Sequence, residues 1–142
     1  MSQFDKLIEI AGRRGDEALV AWQQLKQQCA EALRKLTLLK EYRDRYRAMM
    51  NAGLQNGMAA SATMAYLEFI GQIDDIVLRQ ESDLGTIEEA CERRWQELVE
   101  ARREKRSYEL YNEFLAAREA EAALRRRNAE IDELISRASR LS

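Results

Sequence analysis

Proline and histidine are both absent from these 142 residues. Average usage would place about 7 prolines in a chain this long, and without them nothing forces a helix to stop early. The missing histidines exclude His-dependent catalytic triads and His-ligated zinc. Aromatic residues make up only 7% of the chain, too few for a conventional barrel or sandwich core. Two cysteines, Cys29 and Cys91, are too few and too widely spaced for a secreted disulfide framework or a CxxC site. Lysine and arginine number 23 against 25 aspartates and glutamates, for a net charge of −2. No global basic field for nucleic acid follows from that balance.

What is abundant is alanine, leucine, glutamate and arginine, with 34% of residues charged. This is the composition of a coiled coil or long-helix protein. The amino-terminal sequence lacks the apolar stretch of a signal peptide. From Ala48 to Leu67 no residue is charged, a length able to span a bilayer. Its Asn51, Gln55, Asn56, Gly53, Gly57, Ser61 and Thr63 argue against that. A soluble cytoplasmic protein with no membrane insertion is expected.

Hydrophobic spacing organises the chain. Ala18, Trp22, Leu25, Cys29, Ala32, Leu36 and Leu39 advance in steps of four and three, the seam of a left-handed coiled coil. After a one-residue slip, the series continues through Tyr42, Tyr46 and Met49. A second series runs Tyr66, Ile70, Ile73, Val77, Gln80, Leu84, Ile87, Cys91, Arg94, Leu98, Ala101, Lys105 and Tyr108. Trp95 stands beside Arg94 and can fill the gap that it leaves. Between the two lies Asn51–Gly57, with two glycines and two asparagines, residues that tolerate the left-handed conformation closing a helix.

The expected fold is all-α: a long antiparallel two-helix coiled-coil hairpin with an overhanging C-terminal helix. We read it as a single coiled-coil domain over 1–142, with helix 1 about 4–51, a turn about 52–61 and helix 2 about 62–140. Ser61 or Thr63 is expected to cap the second helix. Gly12 and Gly15 offer a place for the first turns to break or fray, with Asp16 available to restart the helix. Charge supports the topology. Arg34, Lys35, Lys40, Arg43, Arg45 and Arg47 would face Glu68, Asp74, Asp75, Glu81 and Asp83 when the chain folds about residue 57. Exposed pairs of this kind contribute only ~0.2–1 kcal/mol each, so they direct pairing more than they stabilise it.

Folding about that turn sets Phe4 opposite roughly Leu110 and leaves residues beyond about 115 unpaired. Leu124, Ile131 and Ile135 nevertheless continue a seam there. A lone helix with an unpaired apolar stripe is marginal in water, so this end requires a partner. Near the turn, Leu39, Tyr42, Tyr46, Phe69, Ile73 and Ile76 occupy more than one stripe of each helix. Two helices with one mutual seam cannot cover them all, and an exposed aromatic–aliphatic patch marks an interaction site.

Catalytic chemistry finds little support. No glycine spacing completes a phosphate loop, and Gly12-Arg-Arg-Gly15 lacks the mixed helix–sheet setting of a KH clamp. Asp74-Asp75 and Glu88-Glu89 fall on solvated helix faces with no concavity to raise a pKa. The runs Arg102–Arg106 and Arg125–Arg127 are interleaved with glutamates, as on a solvated face. Cys29 and Cys91 read as small seam hydrophobes, with a cross-helix bridge left open by the register. Met49, Met50, Met58 and Met64 cluster at the turn as adaptable packing or a plastic contact surface. No cofactor and no metal is expected.

The stretch Leu38-Leu39-Lys-Glu-Tyr42-Arg-Asp-Arg-Tyr46-Arg47, the turn ending Asn56-Gly57-Met58, and Tyr66-Leu-Glu-Phe69-Ile70-Gly-Gln-Ile73 resemble the FliJ family of flagellar type III export proteins. Trp95 and Glu104-Lys105-Arg106 fit the second helix of that family, and the resemblance spans about residues 25–106. It implies a non-enzymatic coiled coil similar to the central stalk of rotary ATPases. The implied partners are the export ATPase hexamer, the cytoplasmic part of the export gate membrane protein, and export chaperones. It also implies that Leu39, Tyr42, Tyr46, Phe69, Ile73 and Ile76 meet the gate, and that Leu124, Ile131 and Ile135 lie at the ATPase end. The protein would then be cytoplasmic and peripheral to the inner-membrane export apparatus. The equivalent stalk of a virulence injectisome and a generic dimeric coiled-coil adaptor are the alternatives. A basic-region nucleic-acid binder is disfavoured by a pI near 5.4.

Overall fold

A computed structural model describes residues 3–141; Met1, Ser2 and Ser142, the ends of the expected single domain, lie outside the described residues. The fold is an all-α two-helix hairpin: α1 spans Asp5–Gln55 and α2 spans Ala60–Leu141. Helix α1 extends four residues past the expected end, and α2 begins two residues early.

Gly57 closes α1. It is the one described residue in the left-handed region, at φ 81°. Its amide donates to the Leu54 carbonyl at 3.3 Å, and the Met58 amide donates to the Gly53 carbonyl at 2.9 Å. This nested pair is the Schellman arrangement, and it satisfies carbonyls that the helix end would orphan.

The expected caps of α2 are not formed. Ser61 and Thr63 lie inside the helix rather than before it, and the Thr63 hydroxyl donates back to the Ala59 carbonyl at 3.3 Å. The residue preceding α2 is Ala59, which has no side-chain acceptor for the first amides.

The chain divides into two compact units, one formed by Met1–Asp16 with Leu98–Ser142 and the other by Glu17–Glu97. In Glu17–Glu97 the helices are antiparallel around buried Leu36, Ile70, Ile73 and Val77. Leu39, Phe69 and Leu84 pack against the Leu36–Ile73–Val77 cluster. Trp22 meets Trp95 with ring centroids 5.0 Å apart. The charge blocks find each other as expected: Lys40 reaches Glu81 at 3.6 Å, and Arg43 and Arg47 converge on Asp74 at 3.2 and 3.4 Å.

In the other unit the helices are also antiparallel. Phe4 stacks on Tyr108 and Tyr111 at centroid distances of 6.0 and 5.4 Å. Asn112 donates to Asp5 at 2.9 Å, and Arg14 reaches Glu104 at 2.7 Å. Ala11, Leu98 and Ala101 form the buried seam. Helix α1 runs through Gly12 and Gly15 without interruption, so Asp16 restarts nothing. A Cβ on Gly15 would stand 3.7 Å from the Ala101 Cβ, and one on Gly12 3.8 Å from the Lys105 ammonium, ordinary van der Waals contacts that would admit alanine at either place.

Candidate functional site

Two surfaces carry apolar side chains that the hairpin leaves uncovered. The first lies in Glu17–Glu97. Of the six residues expected there, Ile73 is buried at 4% exposure and belongs to the seam, which corrects its assignment to an exposed patch. A residue flanked by Leu36 and Val77 in the core cannot also meet a partner directly. Leu39, Tyr46 and Phe69 are half-buried, while Tyr42 and Ile76 are exposed.

These side chains form one aromatic cluster. Tyr46 packs on Phe69 at 4.5 Å and on Tyr42 at 5.0 Å, and Tyr42 meets Phe69 edge-on at 6.2 Å. The hydroxyls of Tyr42 and Tyr46 lie 3.4 Å apart. That hydrogen bond is the chief cause of an upward shift in the Tyr46 pKa, with smaller contributions from the Tyr42 charge, burial and Tyr66. The cluster offers ring faces and hydroxyls to a partner.

Beside it runs an open groove of about 460 Å³, lined by Lys35, Leu38, Leu39, Tyr42, Arg45 and Gln80. Leu38, 63% exposed, is the most open apolar side chain along it, and Lys35 and Arg45 frame it with positive charge. Leu38 lies one position off the four-three rhythm of the seam and belongs to a second stripe, in which Leu38, Tyr42 and Arg45 are themselves spaced four and three apart.

A third feature of this unit is a groove of about 440 Å³ lined by Trp22, Lys26, Cys29, Glu88, Cys91, Glu92 and Trp95. Both cysteines are free thiols, and the Lys26 ammonium sits 4.9 Å from the Trp22 ring centroid. Burial, then Cys91, then Glu88 push the Cys29 thiol pKa up, and Lys26 opposes them. That is the environment of an inert thiol rather than a nucleophile.

The second surface belongs to the unit containing α2 from Leu98 onward. Leu124, Ile131 and Ile135 are all exposed, as are Leu110, Tyr111 and Phe114. A groove of about 370 Å³ is lined by Ser107, Leu110, Tyr111 and Phe114, and the Arg118 guanidinium lies 5.7 Å from the Phe114 ring. The Leu110–Phe114 group was hidden in the sequence because it sits two residues out of phase with the Leu98–Tyr108 seam.

Among the described residues no group of three or more acidic or thiol side chains is placed to hold a metal. No helix among them is long and apolar enough to cross a membrane. The family profile described as "Flagellar FliJ protein" matches residues 1–142. No curated protein and no solved structure gives a significant match.

Proposed function

Since the chain belongs to the FliJ family of flagellar proteins, whose role lies in flagellar type III export, we propose that it is the stalk of the export ATPase ring and couples that ring to the export gate and its chaperones. In this reading the protein is not an enzyme. It works in the cytoplasm at the inner-membrane export apparatus, as a stiff asymmetric coiled coil seated in a symmetric hexamer.

The observation that carries the reading is the apolar surface left open on each unit. Leu124, Ile131 and Ile135 are exposed on α2, and they meet the ATPase ring. The Tyr42–Tyr46–Phe69 cluster, with Leu39, Ile76 and exposed Leu38, meets the cytoplasmic part of the gate protein. Ile73 supports that cluster from beneath. Buried apolar area drives such contacts at about 25 cal/mol per Å² before the cost of ordering is counted.

Hexamer assembly by the cognate ATPase, followed by light scattering with and without the protein, tests the stalk role. The intact chain should promote the hexamer, and a chain truncated after residue 115 should not. Assembly indifferent to the intact chain would remove the stalk reading. The cytoplasmic part of the gate protein, immobilised, should retain the intact chain and lose the Tyr42→Ser/Ile76→Ser variant.

A further inference from the structure

Cys29 and Cys91 stand on the facing seams of the two helices within Glu17–Glu97. Cys29 continues the series Trp22, Leu25 on α1, and Cys91 the series Leu84, Ile87 on α2. Two cross-helix contacts fix their level. On one side the Trp22 and Trp95 rings meet at 5.0 Å, and on the other Lys40 pairs with Glu81 at 3.6 Å. Between those points the antiparallel helices bring both cysteines to one groove, with Lys26, Glu88 and Glu92 around them. Each is a free, half-buried thiol. A charge on Cys91 raises the Cys29 pKa more than the Glu88 carboxylate does, so the two sulfurs lie within electrostatic reach across the helix–helix contact. Neither belongs to the surfaces assigned above to the ATPase ring or the gate protein.

Two thiols at one level of a seam have a chemistry that a single buried cysteine lacks, because the second can resolve what the first begins. We propose that Cys29 and Cys91 are a redox-active dithiol that small disulfides of the glutathione type convert to a reversible cross-helix bridge. The proposal goes beyond the stalk role and does not depend on it.

The exchange takes two steps. The Cys91 thiolate attacks one sulfur of the small disulfide, which forms a mixed disulfide on Cys91 and releases one small thiol. Cys29 then gives up its proton and attacks the Cys91 sulfur, and the second small thiol leaves. In sum the protein dithiol loses two electrons and two protons, and the small disulfide is reduced to two thiols. Cys29 sets the order. Burial keeps its proton on, which makes it a poor first attacker, but a sulfur already held across the seam needs no encounter to act second. The bridge ties α1 to α2 and encloses the turn together with the Tyr42–Tyr46–Phe69 cluster. Closing so long a loop restricts the unfolded chain and holds this unit of the hairpin shut. In a reducing compartment such a bridge is transient and reports the state of the thiol pool.

The test uses the purified full-length protein alone, so its outcome is separable from that of any ATPase experiment. The folded chain is equilibrated with mixtures of oxidised and reduced glutathione, quenched with acid, alkylated and weighed by mass spectrometry. As the oxidised share rises, the expected product is a single chain two hydrogens lighter, with no glutathione and no alkyl group on either cysteine. Its proportion should not change when the protein is diluted about a hundredfold, because the bridge closes within one chain. Trp22 and Trp95 are the two tryptophans of the sequence and line the same groove, so their fluorescence should fall on oxidation and recover with dithiothreitol. The melting temperature should rise by about 5–10 °C. Cys29→Ser and Cys91→Ser should each hold one glutathione and show neither change. An intact chain that keeps two free thiols at every mixture, or that takes up two glutathiones, overturns the proposal. So does a bridge that forms only between chains or only after unfolding.

Discussion

The Met58 methyl occupies the space that a Cβ on Gly53 would need, and the Met58 amide closes α1 by donating to the Gly53 carbonyl at 2.9 Å. The two turn glycines thus act differently: Gly53 gives room to a side chain, and Gly57 supplies a backbone conformation. Gly57→Ala should lower stability by about 1 kcal/mol, since only glycine holds φ near +80° without strain. Gly53→Ala should be close to neutral, because the gain in helix propensity offsets the displacement of a flexible methionine end. Thermal unfolding of the two variants checks the difference, and equal losses would contradict it.

Core and surface roles separate within the aromatic cluster. Ile73→Ala should destabilise the protein by about 2–5 kcal/mol, as for other buried large-to-small changes. Tyr42→Ser/Ile76→Ser should leave the melting temperature nearly unchanged while weakening retention on the gate protein. A large stability loss in that variant would assign the exposed pair to the core instead.

Arg43 and Arg47 share Asp74, and Arg43 Nε is buried without a hydrogen-bond partner. Asp74→Asn should therefore cost about 0.5–1 kcal/mol at low salt, and less at high salt, since Asp74 is partly open to solvent. Lys40→Gln, which removes a more exposed pair, should cost less. Denaturant titrations at two ionic strengths measure both losses, and salt-independent losses would show that the charges are not responsible.

The raised Cys29 pKa carries a pH dependence with a definite sign. The folded state holds this proton more tightly than the unfolded chain does, so the stabilisation is present below the ordinary thiol range. It is lost as pH rises from that range through the higher folded value. Alkylation of Cys29 near pH 8 should be slower in the folded protein than after denaturation. Glu88→Gln should speed the reaction and Lys26→Gln should slow it, in line with their opposing effects. Mass spectrometry of the modified peptides reads each rate, and a folded rate equal to the denatured one would remove the shift.

Much of the fold was legible because its determinants are local. The four-three spacing of Ala18 to Leu39 and of Tyr66 to Tyr108 dictates which face of each helix is apolar, and Asn56-Gly57 dictates where the chain can reverse. What depends on the partner helix was not legible. Gly12 and Gly15 read as places for the helix to break, yet α1 continues through both with its Ala11 face packed in the seam. Ile73 stands in the sequence both on the seam series with Val77 and in the patch beside Ile76, and its packing against Leu36 decides for the seam. Leu38 and Phe114 each lie on a stripe other than the seam, so the seam's spacing does not mark them.

The central claim, that the uncovered end of α2 seats the protein in the export ATPase, is tested most directly by ATP turnover of that enzyme. Turnover should rise with the intact chain and with Tyr42→Ser/Ile76→Ser. It should stay at the basal rate with Leu124→Ser/Ile131→Ser/Ile135→Ser. Equal stimulation by the intact chain and by the triple variant would contradict the claim, and so would an ATPase that ignores the intact protein.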